Sequence, residues 1–230
     1  PFALPPIRDL RWKAPRAFFA EEFHINPKEN NFCHQEIGGE IQEINFIGSE
    51  DCLYLDISAP HGERENLPVM FWIHGGGNTS GHKDFYNFSE LVKRKDVIVV
   101  STNYRLGPLG FFTHPAIQDF NSDLDKTSNY GILDIIMALK WVNQNIASFG
   151  GDPKNITIFG ESAGGHNVLS LLVAPQARGL FHKAISQSGY TKSSSVEDAY
   201  KSEFFNEEKT SDSWTVLNKI VCLIYIRFFR

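Results

Sequence analysis

Apolar residues fall along this 230-residue chain in two rhythms. Leu67-Pro68-Val69-Met70-Phe71-Trp72-Ile73 and Val97-Ile98-Val99-Val100-Ser101 are near-continuous apolar runs, the pattern of strands buried on both faces. Ile41 to Ile47, Leu53 to Ile57, the β-branched run Asn155 to Phe159, and Lys183 to Gln187 read as further strands. Between them the spacing becomes helical. Phe85 to Lys95 carries a short helix, Ile132, Ile136, Leu139 and Ile146 mark a long amphipathic one ending before Phe149, and His166 to Leu172 marks another. Strands alternating with helices predict an α/β fold with a central, mostly parallel sheet and helices on both faces.

The flanks are less regular. Residues 1–20 are rich in proline and aromatics, which suits an extended segment laid over a core. Beyond Ser188-Gly189 the pattern weakens: Ser193-Ser194-Ser195 reads as a break, Val196 to Phe205 as a possible helix, and Trp214 to Phe229 as apolar with poor periodicity. A hydrophobic content of 42% supports one sizeable core, and the chain is expected to form a single unit over residues 1–230. The longest apolar candidate, Ile220 to Ile226, falls well short of the roughly 18 residues of a membrane span. A net charge of −5 with scattered basic residues argues against nucleic acid as a partner.

Of three cysteines, Cys33 and Cys52 bracket a polar segment and Cys222 lies in the apolar tail. A Cys33–Cys52 bridge would contribute about 3 kcal/mol in the chain-entropy model and would place the protein in an oxidising, secretory or periplasmic compartment. Two buried thiols are the alternative.

The candidate chemistry lies at strand ends. Gly160-Glu161-Ser162-Ala163-Gly164, entered from a strand and left by a helix, has the order of a nucleophile elbow, in which small neighbours let a strained turn hold one serine hydroxyl clear of the backbone. The amide of Ala163, at the helix start, is then placed to stabilise an oxyanion. His74-Gly75-Gly76-Gly77 follows another buried run; Gly76 and Gly77 are candidate oxyanion donors beside Ala163. The Gly-Lys-Ser/Thr ending of a phosphate loop is absent there. His74 is expected to brace the loop by a backbone hydrogen bond. Glu161 is either a buried carboxylate tuning the site or an exposed acid.

Two longer stretches resemble the signatures of the type-B carboxylesterase family: Glu50-Asp51-Cys52-Leu53-Tyr54-Leu55-Asp56, and Phe149-Gly150-Gly151-Asp152-Pro153 running on to Gly160-Glu161-Ser162-Ala163-Gly164-Gly165. Trp72 to Gly77, Asn103-Tyr104-Arg105-Leu106-Gly107, Trp141 to Ile146 and Ser186-Gln187-Ser188-Gly189 are similar to that family in the same order, so the likeness extends to about residue 189. The resemblance implies a partial α/β-hydrolase fold, Ser162 as nucleophile, and Gly76, Gly77 and Ala163 as oxyanion hole. It further implies a Cys33–Cys52 disulfide, Ser188 near the triad acid, a small-molecule carboxylic ester as substrate, and neither metal nor organic cofactor.

Departures from the family shape the expectation. Its triad acid and histidine follow the serine far downstream, whereas only His166 and His182 follow Ser162 here. The chain is therefore expected to be an N-terminal part of such an enzyme, inactive by itself. The segment between Cys33 and Cys52 holds Phe46 but no tryptophan, against a choline-ester preference. A non-catalytic binding or adhesion module on the same scaffold is the alternative. Three triplets, Asn78-Thr79-Ser80, Asn87-Phe88-Ser89 and Asn155-Ile156-Thr157, fit the N-glycosylation pattern.

Overall fold

The computed structural model describes residues 1–19, 31–37, 45–114, 117, 122–191 and 193. The expectations for Ile41 to Ile44, for a helix at Val196 to Phe205 and for Trp214 to Phe229 lie outside the described residues. A small antiparallel pair, β1 (Gln35–Ile37) and β2 (Asn45–Ile47), precedes the main sheet. The main sheet is five-stranded, with β3 (Leu55–Ser58), β4 (Leu67–Ile73), β5 (Ile98–Thr102), β6 (Gly151–Glu161) and β7 (Lys183–Gln187) in the order β3-β5-β4-β6-β7. Only β3 runs antiparallel to its neighbour β5; the other pairings are parallel.

Period-2 alternation decides which side chains meet which helix. Val69, Phe71, Ile73, Ile98, Val100, Ile156 and Ile158 join one core with Ile135, Leu139 and Val142 of α3 (Tyr130–Asn145) and Val168 and Leu171 of α4 (Ala163–Val173). The alternate residues Trp72, Val99 and Phe159 form a second cluster with Val92 of α1 (Ser89–Lys95). Helices thus cover both faces, and each fully buried aliphatic or aromatic side chain contributes about 1.5–3 kcal/mol.

Several details departed from the sequence pattern for physical reasons. The third strand begins at Leu55 rather than Leu53, because Leu53 is spent under the N-terminal segment: the Phe2 amide donates to its carbonyl at 3.1 Å, and Phe2 is buried. Strand β6 starts at Gly151, well before Asn155, but its register against β4 jumps from Leu67↔Gly151 to Val69↔Ile156. Pro153 cannot donate to a ladder, and the Asp152 carboxylate takes the Lys154 amide at 2.8 Å, so this stretch bulges. The short helix α2 (Gly107–Phe111) escaped notice because five residues with two glycines show no periodicity; Pro108 suits its first turn.

Arg105, just after β5, is tied to Asp134 on α3. Asp134 accepts from the Arg105 amide at 3.0 Å, from Nε at 2.8 Å and from Nη2 at 2.7 Å, with both side chains buried. Removing one partner of such a pair leaves an uncompensated buried charge, a loss of about 3–5 kcal/mol. Cys33 and Cys52 are joined, with sulfurs 2.05 Å apart, which settles the choice between a bridge and two thiols. No helix among the described residues is long and apolar enough to cross a membrane.

Candidate active site

Strand β6 ends at Glu161, Ser162 forms the turn and α4 begins at Ala163. Ser162 has φ 55° and ψ −119°, a conformation that a side chain-bearing residue adopts at an expense of about 1–3 kcal/mol. Its amide donates to the Gln187 carbonyl at 2.9 Å, and its carbonyl accepts the His166 amide at 2.9 Å. The strained turn is therefore held from both sides, by the end of β7 and by the first turn of α4. Close approach of α4 to the sheet needs Gly164, where a Cβ atom would come within 2.8 Å of the His74 carbonyl oxygen.

The glycine loop after β4 lies beside this turn. A Cβ placed on Gly75 would be 3.3 Å from the Ser162 Cβ and 3.3 Å from Glu161 Oε2. Glu161 is half-buried, intermediate between the two environments the sequence allowed. The Gly76 carbonyl accepts the amides of Thr79 and Ser80, both at 3.0 Å, with Gly76 at φ 98° and Gly77 at φ 65°. Among the described residues no hydrogen bond engages the amides of Gly76 or Gly77.

His74 is buried against the loop. Its ring stacks on Tyr104 with centroids 4.3 Å apart, and Nδ1–H donates to the Gly75 carbonyl at 2.8 Å. Burial pushes its pKa down to about 4, so the imidazole is neutral, with Nε2 a buried lone pair that meets no donor. Ser188, at φ 53°, is exposed just beyond β7, while the adjoining Ser186 hydroxyl donates to the Gly165 carbonyl at 3.0 Å. The two histidines after the serine point elsewhere. His166 Nδ1 is bonded to the Tyr190 carbonyl and its ring stacks on Tyr190 at 4.4 Å. His182 Nδ1 accepts the Ile156 amide at 3.2 Å, six residues back along β6 and so roughly 20 Å from Ser162.

Sequence reasoning missed the polar tie between loop and helix. Asn167 of α4, fully buried, donates to Asn78 Oδ1 at 2.9 Å; the same oxygen accepts the Tyr104 hydroxyl at 3.2 Å, which also lies 2.7 Å from the His74 carbonyl. A polar residue on the buried stripe of an otherwise apolar helix was the available signal.

A mostly parallel sheet flanked by helices, with a strained serine between a strand and a helix, defines an α/β-hydrolase, here in partial form. A model of the Carboxylesterase family matches residues 1–211, and the chain belongs to that family. It is 42% identical over 206 residues to para-nitrobenzyl esterase of Bacillus subtilis (strain 168), covering 86% of this chain and 41% of that protein. It is 52% identical over 206 residues to cocaine esterase of Homo sapiens, covering 82% of this chain and 35% of that protein. A solved structure of PNB esterase superposes with a TM-score of 0.74 at 41% identity, over 86% of this chain and 41% of that one. The chain thus spans well under half the length of these relatives.

Proposed function

We propose that this chain supplies the nucleophile side of a serine carboxylesterase acting on small-molecule carboxylic esters. Ser162 Oγ attacks the ester carbonyl, and the resulting oxyanion is held by the amides of Gly76, Gly77 and Ala163. The alcohol leaves, and water then releases the acyl group from Ser162. His74, Glu161 and Ser188 act around this centre: His74 by bracing the loop, Glu161 by its field beside Gly75, and Ser188 near the triad acid. The relatives named as esterases support the ester class of substrate. The observation that carries the reading is the adjacency of a strained Ser162 to the glycine loop, 3.3 Å from a Gly75 Cβ position.

Among the described residues no hydrogen bond joins a histidine ring to the Ser162 hydroxyl; Nδ1 of His74 is turned to Gly75, Nδ1 of His166 to Tyr190, and Nδ1 of His182 to the Ile156 amide. A serine with oxyanion donors and no base beside it works at a rate several orders of magnitude below a complete triad. A non-catalytic binding module has no need of a nucleophile held at a strain of about 1–3 kcal/mol. The test is organophosphate labelling of a protein that joins this chain to the downstream part of an esterase relative. Label on the Ser162 peptide, lost with a fall of roughly 10⁴–10⁶-fold in hydrolysis on Ser162→Ala, is expected. A folded protein that hydrolyses esters unlabelled at Ser162 overturns the assignment.

A further inference from the structure

Three asparagines carry the N-glycosylation triplet, and their surroundings differ sharply. At Asn78 both ends of the amide are engaged inside the protein. Oδ1 accepts Asn167 Nδ2 at 2.9 Å and the Tyr104 hydroxyl at 3.2 Å, and Nδ2 is directed to Asn167 Oδ1 at 3.4 Å. A sugar on that nitrogen would have to break the tie to a fully buried side chain. Asn155 is half-buried within β6, and Oδ1 accepts Lys183 Nζ at 2.8 Å. Its Thr157 pairs with Lys183 in the sheet, so this triplet is drawn out as strand rather than folded locally.

Asn87 is unlike either. It is exposed at the start of α1, and its Oδ1 accepts both the Ser89 amide at 2.9 Å and the Ser89 hydroxyl at 2.6 Å. That is a local Asx turn bringing the asparagine amide and the hydroxyl two residues on into contact. Among the described residues no hydrogen bond engages Asn87 Nδ2. A second observation points to an occupant. Phe85, 65% exposed, and Tyr86, 46% exposed, immediately precede Asn87, with ring centroids 5.0 Å apart. Tyr86 also packs its edge on Trp72 at 5.3 Å, so this aromatic pair is a fixed apolar platform at the surface. Exposed apolar surface of this kind calls for a cover, and the C–H face of a pyranose is a fitting one. The Cys33–Cys52 disulfide is compatible with the oxidising secretory route on which such sugars are added.

We infer that Asn87 carries an N-linked oligosaccharide whose first sugar lies over Phe85 and Tyr86, while Asn78 and Asn155 stay unmodified. In the transfer, Nδ2 forms a bond to the anomeric carbon of a polyisoprenyl-diphosphate-linked oligosaccharide. The bond from that carbon to the diphosphate oxygen breaks, the diphosphate leaves with the electron pair, and the Nδ2 proton is released; nothing is oxidised or reduced.

The whole chain, behind a secretory leader, is translated into eukaryotic microsomes and also secreted from cells. Enzymatic release of N-glycans in heavy-oxygen water then converts each occupied asparagine to a mass-tagged aspartate. The expected result is one oligosaccharide, with the tag on Asn87, abolished by Asn87→Gln and by Ser89→Ala and kept in Ser89→Thr. Removing the glycan should lower the Tm of the secreted protein, and Phe85→Ala should shrink that difference. The microsomal arm reads occupancy whether or not a variant folds. An Asn87 unoccupied in both systems, or a tag on Asn78 or Asn155 in the secreted chain, overturns the inference.

Discussion

Two regions that flank the same helix are built in opposite ways. On one side, the Ser162 turn and the glycine loop are locked: Gly164 leaves no room for a Cβ, Asn167 is fully buried, and Ile73 and Ile158 behind them are fully buried too. On the other, every residue of β7 is exposed although the strand is fully paired with β6, and Ile185, Tyr190, Leu172 and Val173 present apolar surface around it. The turn that would hold a nucleophile is thus preorganised by this chain's own packing, whereas the neighbouring edge is exposed. Preorganised backbone donors need no rearrangement as charge develops, which is where such sites gain most of their rate.

The largest effect should come from forcing side-chain volume into the locked region. Gly164→Val puts atoms within 2.8 Å of the His74 carbonyl oxygen, where both partners are backbone and neither can yield. The loss should exceed about 4 kcal/mol and abolish cooperative unfolding by circular dichroism. Leu172→Ser, on the exposed stripe of the same helix, should change stability by no more than about 0.5 kcal/mol. Equal damage from the two would erase the distinction between the regions.

Acid should find the locked region next. His74 has its pKa held down to about 4 by burial, against 6.5 when unfolded. Between those values the unfolded chain binds a proton that the folded chain refuses, so stability is full above pH 6.5 and falls as pH drops towards 4. The loss reaches about 3 kcal/mol at the lower end. In His74→Gln that loss should disappear, flattening the pH dependence of denaturant unfolding by about one proton over this window. His82, also lowered by burial but closer to solvent, should keep a weaker slope in the variant. An unchanged profile would mean that the ring is hydrated in solution.

The polar tie between the loop and α4 should matter less for stability and more for geometry. Asn167→Ala leaves the Asn78 amide without its partner on α4, a loss of about 1–3 kcal/mol. In an esterase completed with a relative's downstream part, it should lower kcat with little change in KM, because the loop amides would drift from where an oxyanion forms. A variant that loses stability but keeps kcat would show Asn167 to be purely structural.

How far the sequence could be read follows the same division. The strands Leu67–Ile73 and Lys183–Gln187 were placed to the residue, the first because its apolar run ends at the His74 glycine loop, the second because it stops at Ser188-Gly189. The order of the elbow was legible for a similar reason: strand, small-residue turn and helix are local events. The tie from Asn78 to Asn167 was not legible: Asn167 is a polar residue on an otherwise apolar helix stripe, but nothing local points to a partner 89 residues away. Nor was the antiparallel β3, whose direction depends on where the chain goes after Ser58 and not on its own residues. The N-terminal segment could be recognised as a cover but not assigned its target, Leu53, for want of any periodicity.

The smallest expected effect tests the exposed edge. Ile185 pairs with Phe159 on β6 and is 46% exposed, while Ile158, one strand away, is fully buried. Introducing lysine at each should separate them. Ile158→Lys forces an unpaired charge into the core between β6 and α3 and should prevent folding, as buried charges without partners do. Ile185→Lys places its ammonium in solvent along an edge strand and should alter the unfolding free energy by no more than about 0.5 kcal/mol. Its visible consequence should be on association: a lysine on an open edge discourages strand-to-strand pairing between copies, so light scattering at high concentration should fall relative to the parent chain. If Ile185→Lys were as damaging as Ile158→Lys, β7 would have to be covered in solution. The locked turn and the open edge would then be parts of one continuous core.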